Sequence, residues 1–282
     1  MKIWRTVGLA WLCLIPFFLI ILLFQILPFA LVLVNSFKAD MGEIWGLGNY
    51  AYLFSSKFFM QSVTNSLRIS LYSSCAGLLL ALPCAWSLYK SEGRVRQFAL
   101  TLSNMVANFS GVPLAFAFVI ILGSNGFLTL LVLETGLKLN LNLYSGTGLV
   151  LIYSYFQIPL AILLILPAFS IIRSDWQEAA SLLGASHSRF WISIGLPVLS
   201  SSLLATFIIL FANAMGTMAT AFALTAGNYN LITIRINNLI SGDIFLDPWL
   251  ASALSILLVI LLLIITLTNE WLATIRSRYG RG

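Results

Sequence analysis

Few side chains in this 282-residue chain are suited to bond-making chemistry. Its one histidine is His187. A hydroxyl nucleophile stands at Ser110, in Asn-Phe-Ser-Gly at 108–111, but such a group needs a base beside it, and His187 lies in a separate polar loop. No His-Glu-x-x-His metal pair and no Gly-x-x-x-x-Gly-Lys phosphate cradle occurs. Cys13, Cys75 and Cys84 sit in apolar surroundings as small packers, without disulfide or metal spacing. The expectation is a chain with no catalytic residue, metal or cofactor of its own. Other polar residues could pass a solute along unchanged. Asn104 with Asn108, Tyr153 with Gln157, and Asn213 with Thr217 are each four apart, so each pair shares a helix face. Such faces border a translocation path or hydrogen-bond one helix to the next, and both readings stand open.

The elements that hold these residues are membrane helices. Hydrophobic residues make up 60% of the chain and charged ones only 9%, against roughly 25% charged in soluble domains. A crossing needs about 20 mostly apolar residues. Six stretches qualify, at 9–36, 69–89, 98–122, 148–172, 203–224 and 249–271. The predicted fold is all-α, a polytopic six-helix bundle forming a single membrane domain over 1–282. The first span follows Lys2 and Arg5, is too long for a signal-peptide core and lacks an Ala-x-Ala-like site, so it reads as an uncleaved helix.

Basic residues orient the bundle, because short loops rich in Lys and Arg stay in the cytoplasm. With both termini inside, the cytoplasmic segments hold ten of them (Lys2, Arg5, Lys90, Arg94, Arg96, Arg173, Arg189, Arg276, Arg278 and Arg281). The outer loops hold four, Lys38, Lys57, Lys138 and Arg235, while Arg68 stands near the outer end of span two, where it can snorkel to headgroups. The net charge of +6 is therefore a topological signal and implies no nucleic-acid partner.

The middle of every span lacks Asp, Glu, Lys, Arg and His. Ion-driven carriers and pumps place such groups there, so the bundle has no visible engine. Prolines 16, 28, 83, 113, 159 and 167 fall inside spans and bend them, either as packing geometry or to shape a pathway that opens on alternate sides. The Phe127–Leu133 run is too short to cross and reads as re-entrant or interfacial.

One loop stands out, at 173–200, containing EAASLLGASHSRFWISIGLP from 178 to 197. Asp175 with Glu178 has the spacing of a reciprocal helix cap, so a helix should begin at Trp176. Gly184 fits the left-handed position that ends helices. Ser186 can cap a second short helix through Ile194, and Pro197 marks a break before span five. His187, Ser188 and Arg189 read as a solvated turn.

Glu178-Ala179-Ala180, Gly184 after three residues, Ile194 after nine more, then Leu196-Pro197, resembles without a gap the EAA loop of ABC-transporter inner-membrane permeases of the binding-protein-dependent importer type. Seven fixed identities coincide by chance at on the order of one in 10⁸ starting points. The layout of the whole chain is similar to these type I importer permeases, a core of five helices preceded by one more. The resemblance implies a non-catalytic transport subunit of a bacterial inner membrane. Its partners would be a cytoplasmic ABC ATPase dimer that binds the ATP, a second permease, identical or different, and an external solute-binding protein. That binding protein would dock on the outer loops. Glu178 would contact the ATPase, Ala179 and Ala180 would let it approach, Gly184 would permit the bend, and Ile194, Leu196 and Pro197 would root the loop on span five. A bulky β-branched residue at 184 should abolish transport. Tyr-Phe-Gln-Ile-Pro-Leu at 155–160 is similar to the branch serving polyamines, iron, thiamine and phosphonates, with spermidine or putrescine the expected cargo. An ion-coupled carrier would instead lose uptake with the ion gradient, and an intramembrane enzyme would depend on Ser110.

Overall fold

The computed structural model describes residues 14–39, 42–135, 142–242 and 246–279. Lys2, Arg5, Cys13, Lys138 and Arg281, used in the sequence reading, lie outside these. In order, the elements are α1 (Leu14–Ser36), a ribbon of β1 (Lys38–Ala39) and β2 (Ile44–Trp45), α2 (Gly48–Ser55), α3 (Lys57–Lys90), α4 (Gly93–Asn108), α5 (Val112–Leu122) and α6 (Phe127–Glu134). Then come α7 (Gly146–Ile165) with a 3₁₀ extension (Leu166–Ile171), α8 (Ser174–Leu182), α9 (His187–Gly216), α10 (Ala219–Thr225), α11 (Ile232–Ser241) and α12 (Pro248–Tyr279). Among the described residues, six helical stretches are long and apolar enough to cross a membrane: Leu14–Ser36, Lys57–Lys90, Val112–Glu134, Gly146–Ile171, His187–Gly216 and Pro248–Thr268.

Three expected spans have clearly different bounds, and the second, expected at 69–89, already begins at Lys57. The third, expected at 98–122, is divided at Phe109–Gly111, and the crossing stretch is α5 with α6, Val112–Glu134. Gly111 turns left-handed at φ +82°, and a helix continued through Pro113 would drive its ring into the carbonyl of Phe109. The Phe127–Leu133 run thus belongs to a helix pair long and apolar enough to cross. The fifth, expected at 203–224, runs from His187 to Gly216 and stops at Thr217 in extended backbone. The expected break at Pro197 is absent because a π turn over Trp191–Gly195 precedes it, the Leu196 N–H donating to the Trp191 carbonyl. The wider turn moves the ladder to accommodate a residue that cannot donate. Pro28 follows the same device, a π turn over Leu22–Ile26.

The chain divides into two compact units, 1–60 with 235–261 and 61–234 with 262–282. In the first, the Asn49 amide donates to the Lys38 carbonyl at 2.8 Å and Tyr50 Oη to Ser36 Oγ at 2.8 Å, pinning α2 to the end of α1. The side chains of α1 are mostly exposed, as a surface facing lipid or another subunit requires. In the second unit, α7 is the central element, packing against α4 and α9. Toward it α3 turns buried small residues, Ser66, Ser70, Ser73, Ser74, Gly77, Ala81 and Ala85, at steps of three or four. A methyl on Gly77 would stand 3.0 Å from Gln157 Cβ, so the two helices approach closely there.

Candidate functional site

The hairpin of α8 and the start of α9 is built from local rules. α8 begins at Ser174 with Arg173 in the N-cap position, whose side chain makes no cap bond, so the helix does not start at Trp176 with Asp175 as its cap. With the helix starting two residues early, Asp175 lies inside the first turn, where its carboxylate suits the helix dipole and pairs with Arg173 at 2.8 Å. The C-terminus closes as a Schellman bend. Ala185 N–H donates to the Ala180 carbonyl at 2.9 Å and Gly184 N–H to the Ser181 carbonyl at 3.0 Å, with Gly184 at φ +77°. Nothing lies within 4 Å of where a Gly184 Cβ would sit. Ser186 Oγ caps the second arm, accepting from Arg189 N–H at 3.3 Å.

The hairpin has a buried and an exposed face. Ala180 is buried with Phe169 and Phe190, while Glu178 and Ala179 face outward. At the tip, Leu182 and Leu183 are each 88% exposed, an apolar pair that none of the described residues covers. Ile194 packs against the core, but Leu196 and Pro197 face away from it, and Leu199, fully buried, anchors this part of α9.

His187 is more than a solvated turn. Trp191 Nε1 donates to His187 Nε2 at 3.0 Å, and the Gln177 side-chain amide lies 3.2 Å from His187 Nδ1. Indole only donates, so Nε2 must offer its lone pair and the ring proton sits on Nδ1; the Gln177 amide, placed with Nε2 toward the ring, then accepts from it once flipped to turn Oε1 inward. One imidazole therefore clasps both arms. Trp191 continues inward, meeting Trp86 edge-on at 4.6 Å between centroids, and Trp86 packs against Phe169 and Tyr89. Lys90 Nζ caps the Trp86 face at 4.6 Å. The hairpin is thus rooted through rings on the ends of α3 and α7. Gly195 is part of the fit, since a Cβ there would stand 2.5 Å from the Trp191 ring.

The residues expected along a path separate into groups. Tyr153 is buried, its hydroxyl donating to the Thr217 carbonyl at 2.9 Å, so these two meet at the break after α9. Gly111 N–H donates to Thr220 Oγ1 at 2.8 Å, joining the break before α5 to the start of α10. Gln157 is fully buried, donating to Ser73 Oγ at 3.2 Å, and Gln157 Oε1 has no hydrogen-bond partner among the described residues. Its place is between α3 and α7, a helix-to-helix bond. Asn104 and Asn108 are exposed and donate to carbonyls of their own helix, Leu100 at 3.0 Å and Asn104 at 2.8 Å. Asn213 is exposed, and its carbonyl accepts from Thr217 Oγ1 at 2.6 Å. The reading of the sequence missed the Gln177–His187–Trp191 clasp and the small-residue stripe of α3. The stripe was legible from its steps of three and four; the clasp had only the lone histidine four residues before a tryptophan as its signal.

Comparison with known proteins agrees with this geometry. Residues 74–277 match the family model described as "Binding-protein-dependent transport system inner membrane component". The chain is 26% identical over 243 residues to the inner membrane ABC transporter permease protein YcjP of Escherichia coli K12, covering 81% of this chain and 80% of that one. It is 24% identical over 206 residues to the spermidine/putrescine transport system permease protein PotB of the same organism, covering 70% and 74%. Among solved structures, a bacterial alginate ABC transporter in complex with an alginate pentasaccharide-bound periplasmic protein superposes with a TM-score of 0.73. It covers 95% of this chain and 96% of that one at 19% identity.

Proposed function

Because the chain belongs to the family of binding-protein-dependent transport system inner membrane components, and is a multi-pass protein of the bacterial inner membrane, we propose that it forms one of two permease halves of an ATP-driven importer. The α8–α9 hairpin is the part gripped by a separate cytoplasmic ATPase dimer, which binds the nucleotide. Glu178 offers that partner a charge, Ala179 a close approach, and Leu182 and Leu183 an apolar tip. The observation that carries this reading is the tip itself, two leucines held out by a Schellman bend while the rest of the hairpin is fastened inward. A loop resting on its own bundle would turn leucines down. The partner can bias inward and outward states only by contacts that differ between them, and a stiff handle delivers such contacts. A solute-binding protein delivers the cargo from outside.

The test is a cysteine at Leu182, cross-linked to the cognate ABC ATPase in membranes with and without ATP. Nucleotide-dependent cross-linking is expected, and a tip that labels freely with a water-soluble maleimide in every nucleotide state contradicts the proposal. For the cargo, spermidine or putrescine is supported by the likeness to PotB. Against a cation, no carboxylate lies within the described spans except Glu134 at the last residue of its own. Labelled putrescine uptake decides that reading.

A further inference from the structure

Within the second unit a cavity of about 550 Å³ opens beside the outer end of the apolar run of α3. Its polar lining is Asn65, Arg68 and Tyr72 from one face of α3, Ser145 and Thr147 from the start of α7, and Tyr229 from the segment before α11. The volume lies within the range of about 300–1,000 Å³ usual for small-molecule sites.

Its charge is one-sided. Arg68 is the only charged residue among those that line it, and no carboxylate is present. Among the described residues Arg68 makes no ion pair; the one salt bridge there is Arg173 with Asp175. A guanidinium inside a membrane helix is costly unless it faces water, a partner or a ligand, and it is the side chain best matched to a two-oxygen anion. Tyr72 presents a second donor one turn on, and its hydroxyl has no protein partner among the described residues. The Asn65 amide is already spent on the Asn230 carbonyl at 3.1 Å, and Ser145 and Thr147 share a hydrogen bond at 2.7 Å. The free donors are therefore Arg68 and Tyr72, and both favour negative charge. Burial pushes the Tyr229 phenol up, so the opposite wall stays neutral and does not repel an anion. Ile69 and Val150 supply the apolar remainder, suited to a carbon skeleton.

We propose that this cavity receives the anionic group, a carboxylate or a phosphate ester, of the small organic solute that the permease imports. The assignment rests on the importer reading, and it sets an acidic solute in place of the polyamine cargo. It makes Arg68 a ligand for cargo where the sequence suggested an anchor in the headgroups.

The same chemistry is offered by the phosphate of a lipid, so the test separates the two sources. The full chain is reconstituted in nanodiscs of phosphatidylcholine alone and titrated calorimetrically with glucuronate and glucose 6-phosphate, with glucose and putrescine as neutral and cationic controls. Saturable binding of at least one acidic probe is expected, with none of putrescine. Arg68→Gln should weaken that binding at least tenfold, Arg68→Lys less, and Tyr72→Phe by a few-fold, all with unchanged elution on gel filtration. The proposal is overturned if neither acidic probe binds the wild type, if putrescine binds saturably, or if Arg68→Gln leaves acid binding intact. It is equally overturned if Arg68 affects only the affinity for discs containing phosphatidylglycerol, which would give the cavity to a lipid. No ATPase is needed, so failure here leaves the cross-linking result at Leu182 untouched.

Discussion

Replacing Gly184 by valine and, separately, by asparagine isolates the backbone requirement of the hairpin bend. At φ +77°, with no described atom within 4 Å of the added Cβ, the effect is chiefly conformational. An ordinary L-residue costs about 1–2 kcal/mol in this region, a β-branched one sits at the unfavourable end, and asparagine is among the few that visit it routinely. At 1.36 kcal/mol per tenfold, the bent hairpin should lose about five- to thirtyfold in population with valine and far less with asparagine. ATP-driven uptake in proteoliposomes containing the complete complex should fall by about that factor for Gly184→Val. Gly184→Asn should keep most of the wild-type rate, with equal amounts of all three proteins in the membrane. The open space tempers the expectation from sequence alone, which was complete loss. Equal uptake by the valine and asparagine forms would refute the reasoning, because then the left-handed bend is not what the hairpin needs.

Trp191→Phe keeps a ring against Trp86 but removes the donor to His187, a bond worth about 0.5–1.5 kcal/mol. It should raise the number of ATP molecules hydrolysed per solute carried, with expression unchanged. Gln157→Leu removes a fully buried amide whose oxygen has no hydrogen-bond partner among the described residues, so thermal stability in detergent should stay within about 1 kcal/mol of wild type or rise. Uptake by that variant should be unaffected; a changed solute preference would return Gln157 to the path.

The spans were readable because hydrocarbon thickness imposes a length that no other context requires. Their interruptions were harder to see, since Phe109 and Met218 are as apolar as the helices they separate, and only Gly111 with Pro113 marked the first break. The bend at Gly184 and the cap at Ser186 follow from rules spanning three to five residues, and both formed as those rules dictate. The Asp175–Glu178 cap missed on register: the motif says which side chains can reach which amides but not where the first turn begins, and the helix begins two residues before Trp176. Gln157 illustrates a different limit. A polar residue in an apolar run is costly whether it lines a channel or bonds to a neighbouring helix, so its spacing from Tyr153 fixes a face but not what that face meets.

The π turn before Pro197 makes α9 one uninterrupted rod of 30 residues from the hairpin to Gly216. At 1.5 Å per residue that is about 45 Å of stiff beam, and a tilt of about 5° at one end sweeps the other through about 4 Å, roughly an atom's diameter. A kink at the proline would have let such a tilt dissipate at the membrane surface. With the kink absorbed, the first place that can yield is the joint at Thr217, so motion gripped on one side of the membrane is spent deep within it.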